Sequence, residues 1–198
     1  MNDARGQSSR RVIKPAEVRS AELLDAGLRV LCEVGYAEAT VAAITREAGV
    51  AKGTFYLYFP TKAHLLVALR DRQREHLAGE VMERLTELGP GAWAAVDATL
   101  DAFVRFLVEE RSLHDALYDG AAAGVTVDDE VDGVTVLEAL LSAGIAEGSM
   151  VVGDPLLAGS MLFHGVHSAI DTALARGDTD VPTLQRYART WARRLLEP

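Results

Sequence analysis

The run Gly49-Val50-Ala51-Lys52-Gly53-Thr54-Phe55-Tyr56-Leu57-Tyr58-Phe59-Pro60 admits only a short helix. Glycine precedes it and favours a turn, and proline ends it by removing a backbone donor and clashing with the preceding turn. A helix of about 51–59 follows. Thr40 is a good N-cap for a second short helix over 41–48, closed by Gly49. Upstream, Pro15 and Glu17 suit the first turn of a longer helix, and Leu24, Leu28 and Leu31 recur at i, i+4, i+7 until Gly35. Three helices in the first sixty residues, the last two joined by a tight turn, form a helix-turn-helix pattern.

At about 100° per residue, Phe55 and Phe59 share one face of the third helix, and Gly53, Thr54 and Leu57 share the opposite one. Tyr56 and Tyr58 flank Leu57. A buried aromatic helix has no use for that arrangement, whereas a helix lying in the major groove of DNA does. The phenylalanines hold the head together. The tyrosine hydroxyls and the Lys52 and Lys62 ammonium groups reach phosphates. Gly53 allows close approach, and Thr54 and Leu57 offer contacts to base edges.

These residues carry a resemblance. Thr40-Val41, Ile44, Ala48-Gly49-Val50, Lys52 to Tyr56, Tyr58-Phe59, Lys62 and Leu65 resemble the DNA-binding head of TetR-family transcriptional repressors. The resemblance implies a homodimer that binds a palindromic double-stranded operator and is released when its C-terminal body takes up a small molecule. It also implies that Thr40 and the Val41 amide touch phosphate, with Lys52, Gly53, Thr54, Tyr56, Tyr58 and Lys62 making the main DNA contacts. Ala51, where Ser or Thr is common, and Thr45, where Ala is usual, depart from the pattern.

The rest of the chain is helical in pattern, with no Val/Ile/Thr alternation bounded by turns. The expected fold is all-α: a flexible basic arm over 1–14, a three-helix head over 15–61 and a helical-bundle body over 62–198. That makes about nine helices, the body's running over about 62–88, 92–109, 112–119, 129–147, 154–176 and 181–196. Charge divides the same way. Residues 1–62 hold nine Lys/Arg and seven Asp/Glu, a balance of +2; the other 136 residues hold 11 and 22, a balance of −11. Arg5, Arg10 and Arg11 of the arm suit a neighbouring minor groove.

A single cysteine excludes an internal disulfide, and Cys32 is expected in the core of the first helix. No apolar run is long enough to span a membrane, and the N-terminus has no apolar signal region, so a cytoplasmic location is expected. No cofactor and no catalytic residue is expected. His164, His167 and Asp171 share a face at metal-ligand spacing, but residues lining a cavity or seam are the simpler account. Asp128, Asp129, Glu130 and Asp132 are expected to stabilise the start of a helix.

Two further expectations concern the body. The last two helices carry apolar series, Phe163-Val166-Ile170-Leu174 and Leu184-Tyr187-Trp191-Leu195, with Gly165 and Ala169 small enough for close crossing; pairing with their copies makes a four-helix bundle. A ligand cavity is expected between the fourth and eighth helices. Its candidates are Trp93, Phe103, Phe106 and Leu107 of the fifth, His114, Leu117 and Tyr118 of the sixth, and Met161, His164 and His167 of the eighth. That lining suits a mid-sized, largely apolar effector, and the acidic body disfavours a strongly anionic one. Two readings of another class are a sequence-independent DNA architectural protein, which needs a basic surface, and a helical-bundle enzyme, which needs a catalytic constellation absent from the sequence.

Overall fold

The structure, a computed structural model, describes residues 15–122 and 129–196, and side chains other than those of 117–122 and 129–132. The arm, the acidic run from Asp128 to Asp132, and the side chains of Leu117 and Tyr118 therefore lie outside the description. The described residues form nine helices and no strand: α1 Ala16–Glu38, α2 Val41–Glu47, α3 Lys52–Tyr56, α4 Lys62–Leu88, α5 Ala92–Glu109, α6 Arg111–Ala122, α7 Asp129–Ala146, α8 Pro155–Ala175 and α9 Val181–Leu196.

Local chemistry sets most of these boundaries. The Thr40, Thr61 and Asp154 side chains each accept a hydrogen bond from an amide three residues on, at 3.1, 3.3 and 3.1 Å, which starts α2, α4 and α8. Gly89 ends α4 in a positive-φ conformation (φ 84°) that favours glycine. Gly35 differs from expectation. Its φ of 75° kinks α1 instead of ending it, and the chain makes one more turn that buries Tyr36.

Two hydrophobic cores form. The head core joins Leu23, Ala26 and Leu31 of α1, Ile44 of α2, Phe55 and Phe59 around α3, and Leu65, Leu66 and Leu69 of α4. Phe106 of α5 and Ala116 of α6 belong to it as well, so the body braces the head. Gly27 lets α4 approach, because a β-carbon there would lie 2.7 Å from Leu65 Cδ2. Cys32 is exposed, against expectation; its neighbour Leu31 takes the buried position, about 100° round the helix.

The body core joins Val96, Leu100, Val104 and Leu107 of α5 with Leu137 and Leu141 of α7, Leu162, Val166 and Ile170 of α8, and Leu184, Ala188 and Ala192 of α9. Beside it, two buried carboxylates of α5 meet arginines. Asp97 pairs with Arg193 at 2.6 Å, and Asp101 pairs with Arg189 of α9 and, at 3.5 Å, with Arg84 of α4. Burial raises the Asp101 pKa above the ordinary carboxylate value despite those two cations.

Helices α7 and α8 cross closely at Gly159, where a β-carbon would stand 3.1 Å from the Glu138 nitrogen and 3.2 Å from the Val134 oxygen. Both are backbone atoms and cannot rotate away. Gly159→Val should therefore cost about 1–3 kcal/mol of stability through overpacking. Gly79 of α4 has open space around it, so Gly79→Ala should stabilise the fold by about 0.5–1 kcal/mol through helix propensity. Thermal denaturation of the two variants checks that the signs are opposite.

Candidate nucleic-acid interface and ligand cavity

Helix α3 is too short to hold its shape alone, and Phe55 and Phe59 anchor it. Both are buried, their ring centroids are 5.7 Å apart, and the Phe59 amide donates to the Phe55 carbonyl at 2.9 Å. The opposite face is open. Leu57 is 79% exposed and Tyr56 50% exposed, Lys52 is exposed, and a β-carbon on Gly53 would touch nothing within 4 Å. Thr54 is half-buried, and Tyr58 is half-buried against the head core. An apolar side chain left as bare as Leu57 carries a solvation cost that the head does nothing to relieve.

Helix α2 lies beside this face with Thr40 exposed at its start, followed by the half-buried Val41. The Thr40 oxygen accepts from the Ala43 amide, which leaves its hydroxyl proton to donate outward. Thr45 is buried, and its hydroxyl donates back to the Val41 carbonyl at 2.9 Å, so the fold accommodates this departure from the family pattern. Lys62 has an employment the sequence does not reveal. Its ammonium donates to the Tyr36 carbonyl and, at 2.7 Å, to the Ala39 carbonyl, and lies 4.2 Å from the Tyr36 ring centroid. It straps α4 to the end of α1, and two of its three protons are taken. Partial burial pulls its pKa below the ordinary lysine value.

The body forms a cavity of about 590 Å³, partly open to solvent, within the usual size range of small-molecule sites. Helix α4 forms one wall with Arg70, Gln73, Arg74, Glu75, Leu77, Ala78, Val81 and Met82. Thr99, Leu100, Ala102, Phe103 and Phe106 of α5, Gly133, Val136 and Leu137 of α7, and Phe163 of α8 complete it. Phe103 and Phe163 stack at 4.8 Å between centroids. A β-carbon on Gly133 would lie 2.4 Å from the Phe163 ring, so glycine there makes room for this aromatic pair.

Of the residues expected to line a cavity, Phe103 and Phe106 do so. Trp93 does not: its indole donates to the Ser149 carbonyl at 3.1 Å, and the Arg193 guanidinium lies 4.6 Å from its ring centroid. Leu107 points into the body core. Met161 is 53% exposed and lines a separate shallow groove with Val151, Leu157 and Leu195. His164 is exposed, with Nδ1 2.8 Å from the Ser160 carbonyl. His114 and His167 meet behind the aromatic wall, Nε2 to Nε2 at 3.0 Å, with His114 against Phe106 and His167 against Phe103. Burial lowers the His114 pKa. His167 lies 4.0 Å from Asp171, which also pairs with Arg111, but His164 is turned to the Ser160 carbonyl, so the three do not converge. Among the described residues no group of three potential ligands could hold a metal ion.

The α4 and α7 lining was missed by sequence reasoning. Gln73, Leu77 and Val81 recur at i, i+4, i+8 on α4, a sparse stripe too narrow to mark a core face, and that narrowness was the available signal.

The apolar surface of α8 and α9 also differs from expectation. Phe163, Val166, Ile170 and Leu184 are buried in the body core, and Leu174 is half-buried. Leu156, Leu157 and Met161 of α8 and Tyr187, Trp191 and Leu195 of α9 are the exposed ones, each at least 42% exposed. Gly165 is already occupied: a β-carbon there would meet the Trp191 ring at 2.6 Å.

Residues 23–69 match the family described as bacterial regulatory proteins, tetR family. The chain is 30% identical over 111 residues to an uncharacterized HTH-type transcriptional regulator of Bacillus subtilis, YvdT, an alignment covering 56% of this chain and 55% of that one. The chain thus spans about half the length of the curated relatives it matches, or less. Its fold is similar to that of the fatty acid degradation regulator FadR of Bacillus halodurans (TM-score 0.75, 20% identity, covering 90% of this chain and 96% of that one). It is also similar to that of FadR from Bacillus subtilis, solved in complex with stearoyl-CoA (TM-score 0.66, 21% identity, 87% and 96% covered).

The Lys62 strap makes a prediction independent of any ligand. Lys62→Met keeps the aliphatic stem and removes the ammonium, leaving the Tyr36 and Ala39 carbonyls without their donor. A loss of about 1–3 kcal/mol is expected, measured by urea unfolding.

Proposed function

We propose that the chain is a TetR-family regulator, as its head and its fold support, and that it is a ligand-responsive transcriptional repressor, released from a palindromic operator by a small, largely apolar effector. The observation that carries the reading is the outward face of α3, where Lys52, Gly53, Tyr56 and Leu57 stand exposed opposite a buried Phe55 and Phe59. A helix anchored on one side and bare on the other fits the major groove. In this reading Lys52, Tyr56, Tyr58 and the Thr40 hydroxyl with the Val41 amide bind phosphates. Gly53 admits the backbone closely, and Thr54 and Leu57 read bases. Lys62 contributes its one remaining proton and, chiefly, the position of α4. Residues 15–61 act as the head and 62–198 as the body, in a protein working in the cytoplasm.

The exposed apolar surface of α8 and α9 supports a two-fold homodimer. An architectural DNA-coating role would need basic surface on the body, yet the 136 residues after Lys62 carry a charge of −11.

Selection of bound fragments from genomic DNA tests the function. Enrichment of one short palindrome supports repression of adjacent genes, and uniform recovery of all fragments refutes it. Lys52→Ala should weaken all sequences alike and lower the salt slope by about one, whereas Leu57→Ala should change which sequence is preferred; salt-titrated binding to selected and scrambled DNA separates the two effects. Met161→Asp places a charge on the exposed patch and should give a folded monomer by light scattering, with operator affinity reduced at least tenfold.

A further inference from the structure

The cavity is not uniformly apolar, and its polarity is arranged along one axis. Arg70, Gln73, Arg74 and Glu75 line the end nearest the head; Leu77, Val81 and Met82 follow on α4 toward the other end. Along the helix the distance from Arg70 to Met82 is about 18 Å. Opposite the α4 stripe lie Phe103 and Phe163. Arg70, Arg74 and Glu75 carry the charge at the polar end, and Arg74 is itself paired with Asp71 at 3.2 Å, so the buried cation there is Arg70. Arg70 is only 3% exposed, and a guanidinium keeps its charge at any ordinary pH. Gln73 Nε2 is buried and donates to nothing in the protein. A buried donor in that state costs about 1–3 kcal/mol, which an acceptor from a ligand would relieve.

We propose that the effector is a single-chain amphipathic acid, its compact carboxylate bound by Gln73 Nε2 beside the Arg70 and Arg74 guanidinium groups and its apolar chain lying along Leu77 and Val81 toward Met82. This rests on the ligand-responsive reading above and names the class of its ligand. It replaces the expectation that the acidic body disfavours an anion, because the charge that matters is local to the cavity. The head group must be compact. Arg70 and the Gln73 amide nitrogen are buried, where a small head group is desolvated at less cost than a nucleotide-bearing one. A free acid is therefore preferred over its coenzyme A thioester. Each added methylene should tighten binding by about threefold to fourfold until the chain reaches Met82, where the gain stops.

The test uses the full-length protein with dodecanoate, methyl dodecanoate and dodecanoyl-coenzyme A, each below its micellar concentration. Binding is followed by calorimetry, and release of the selected operator by fluorescence anisotropy. Dodecanoate should bind at least tenfold more tightly than either ester. Gln73→Glu should weaken dodecanoate at least tenfold and the methyl ester less than threefold. Arg74→Glu, at an exposed position, should act in the same direction and serves if the first variant does not fold. Equal affinity for acid and methyl ester, tighter binding of the thioester, or indifference of dodecanoate to both substitutions would each overturn the proposal. Val81→Trp fills the chain end and should abolish binding of all three probes. If it leaves them bound, the cavity is not the effector site and the ligand-responsive reading falls with it. If the methyl ester releases operator and dodecanoate does not, the repressor reading stands and only the carboxylate assignment is lost.

Discussion

Helix α4 belongs to two interiors at once, and the rest of the molecule is arranged around that fact. Its first turns bury Leu65, Leu66 and Leu69 in the head core. From Arg70 onward the same helix walls the cavity. A helix of 27 residues is a rod about 40 Å long. Protein interiors pack densely enough that a rod wedged into a core moves with that core. Whatever displaces α4 at Gln73 or Leu77 is felt at Leu66, two to three turns away. A tenfold change in DNA affinity needs only about 1.4 kcal/mol of coupling, comparable to one or two hydrogen bonds at the cavity. Lys62 fixes the start of the rod to the α1 carbonyls, and Phe106 and Ala116 hold the head from the body side.

The far end of the rod is held differently. Arg84 reaches Asp101 at 3.5 Å, while Asp101 also takes Arg189 of α9. That carboxylate is buried and its pKa is raised, so the pair of cations offsets only part of its desolvation. The Arg84 contact is the longer of the two, on a side chain 40% exposed, where ion pairs are worth little. Glu80 also pairs with Arg105 of α5 at 2.7 Å, so helix α4 is held by apolar packing at the head and by ion pairs to α5 beyond it. Its middle faces the cavity.

What the sequence revealed follows from the range of the interactions involved. Caps and breaks act over three or four residues, so Thr40, Thr61 and Gly89 placed their helix ends correctly, whereas the end expected at Phe59, just before Pro60, lies three residues beyond the observed end of α3 at Tyr56. The two faces of α3 were legible because Phe55 and Phe59 are one helical turn apart. Lys62 was not, because its partners lie 23 and 26 residues away in sequence and only tertiary packing brings them together. Cys32 was misplaced by one step round a helix, since a single small residue gives no phase. The cavity was harder still. A core residue is recognised by what it packs against, whereas Gln73, Leu77 and Val81 face space that the protein leaves empty. Helix α8 defeated periodicity altogether. It is apolar on both sides, so Leu157 and Met161 could not be told from Phe163 and Val166 until the body core claimed the second pair.

Helix α9 shows what that ambiguity means physically. Leu184, Ala188, Ala192 and Leu196 form its buried stripe. On one flank Arg189 and Arg193 turn toward Asp101 and Asp97. On the other, Tyr187, Trp191 and Leu195 remain 64%, 42% and 44% exposed. At about 100° per residue the apolar arc covers roughly half the circumference, and the body covers only part of it. An ordinary surface helix keeps its charges outward. Here two of the arginines are committed inward to buried carboxylates, which leaves fewer of them to solvate the outer face. Leu156, Leu157 and Met161 of α8 extend the same apolar surface. Scattered exposed hydrophobes need no explanation, but a contiguous patch across two helices does. A second copy presenting the same patch would relieve it through a self-complementary contact. Because α9 carries both the patch and the arginines that hold Asp101, and Asp101 also holds Arg84 of α4, such pairing would set the frame against which α4 moves.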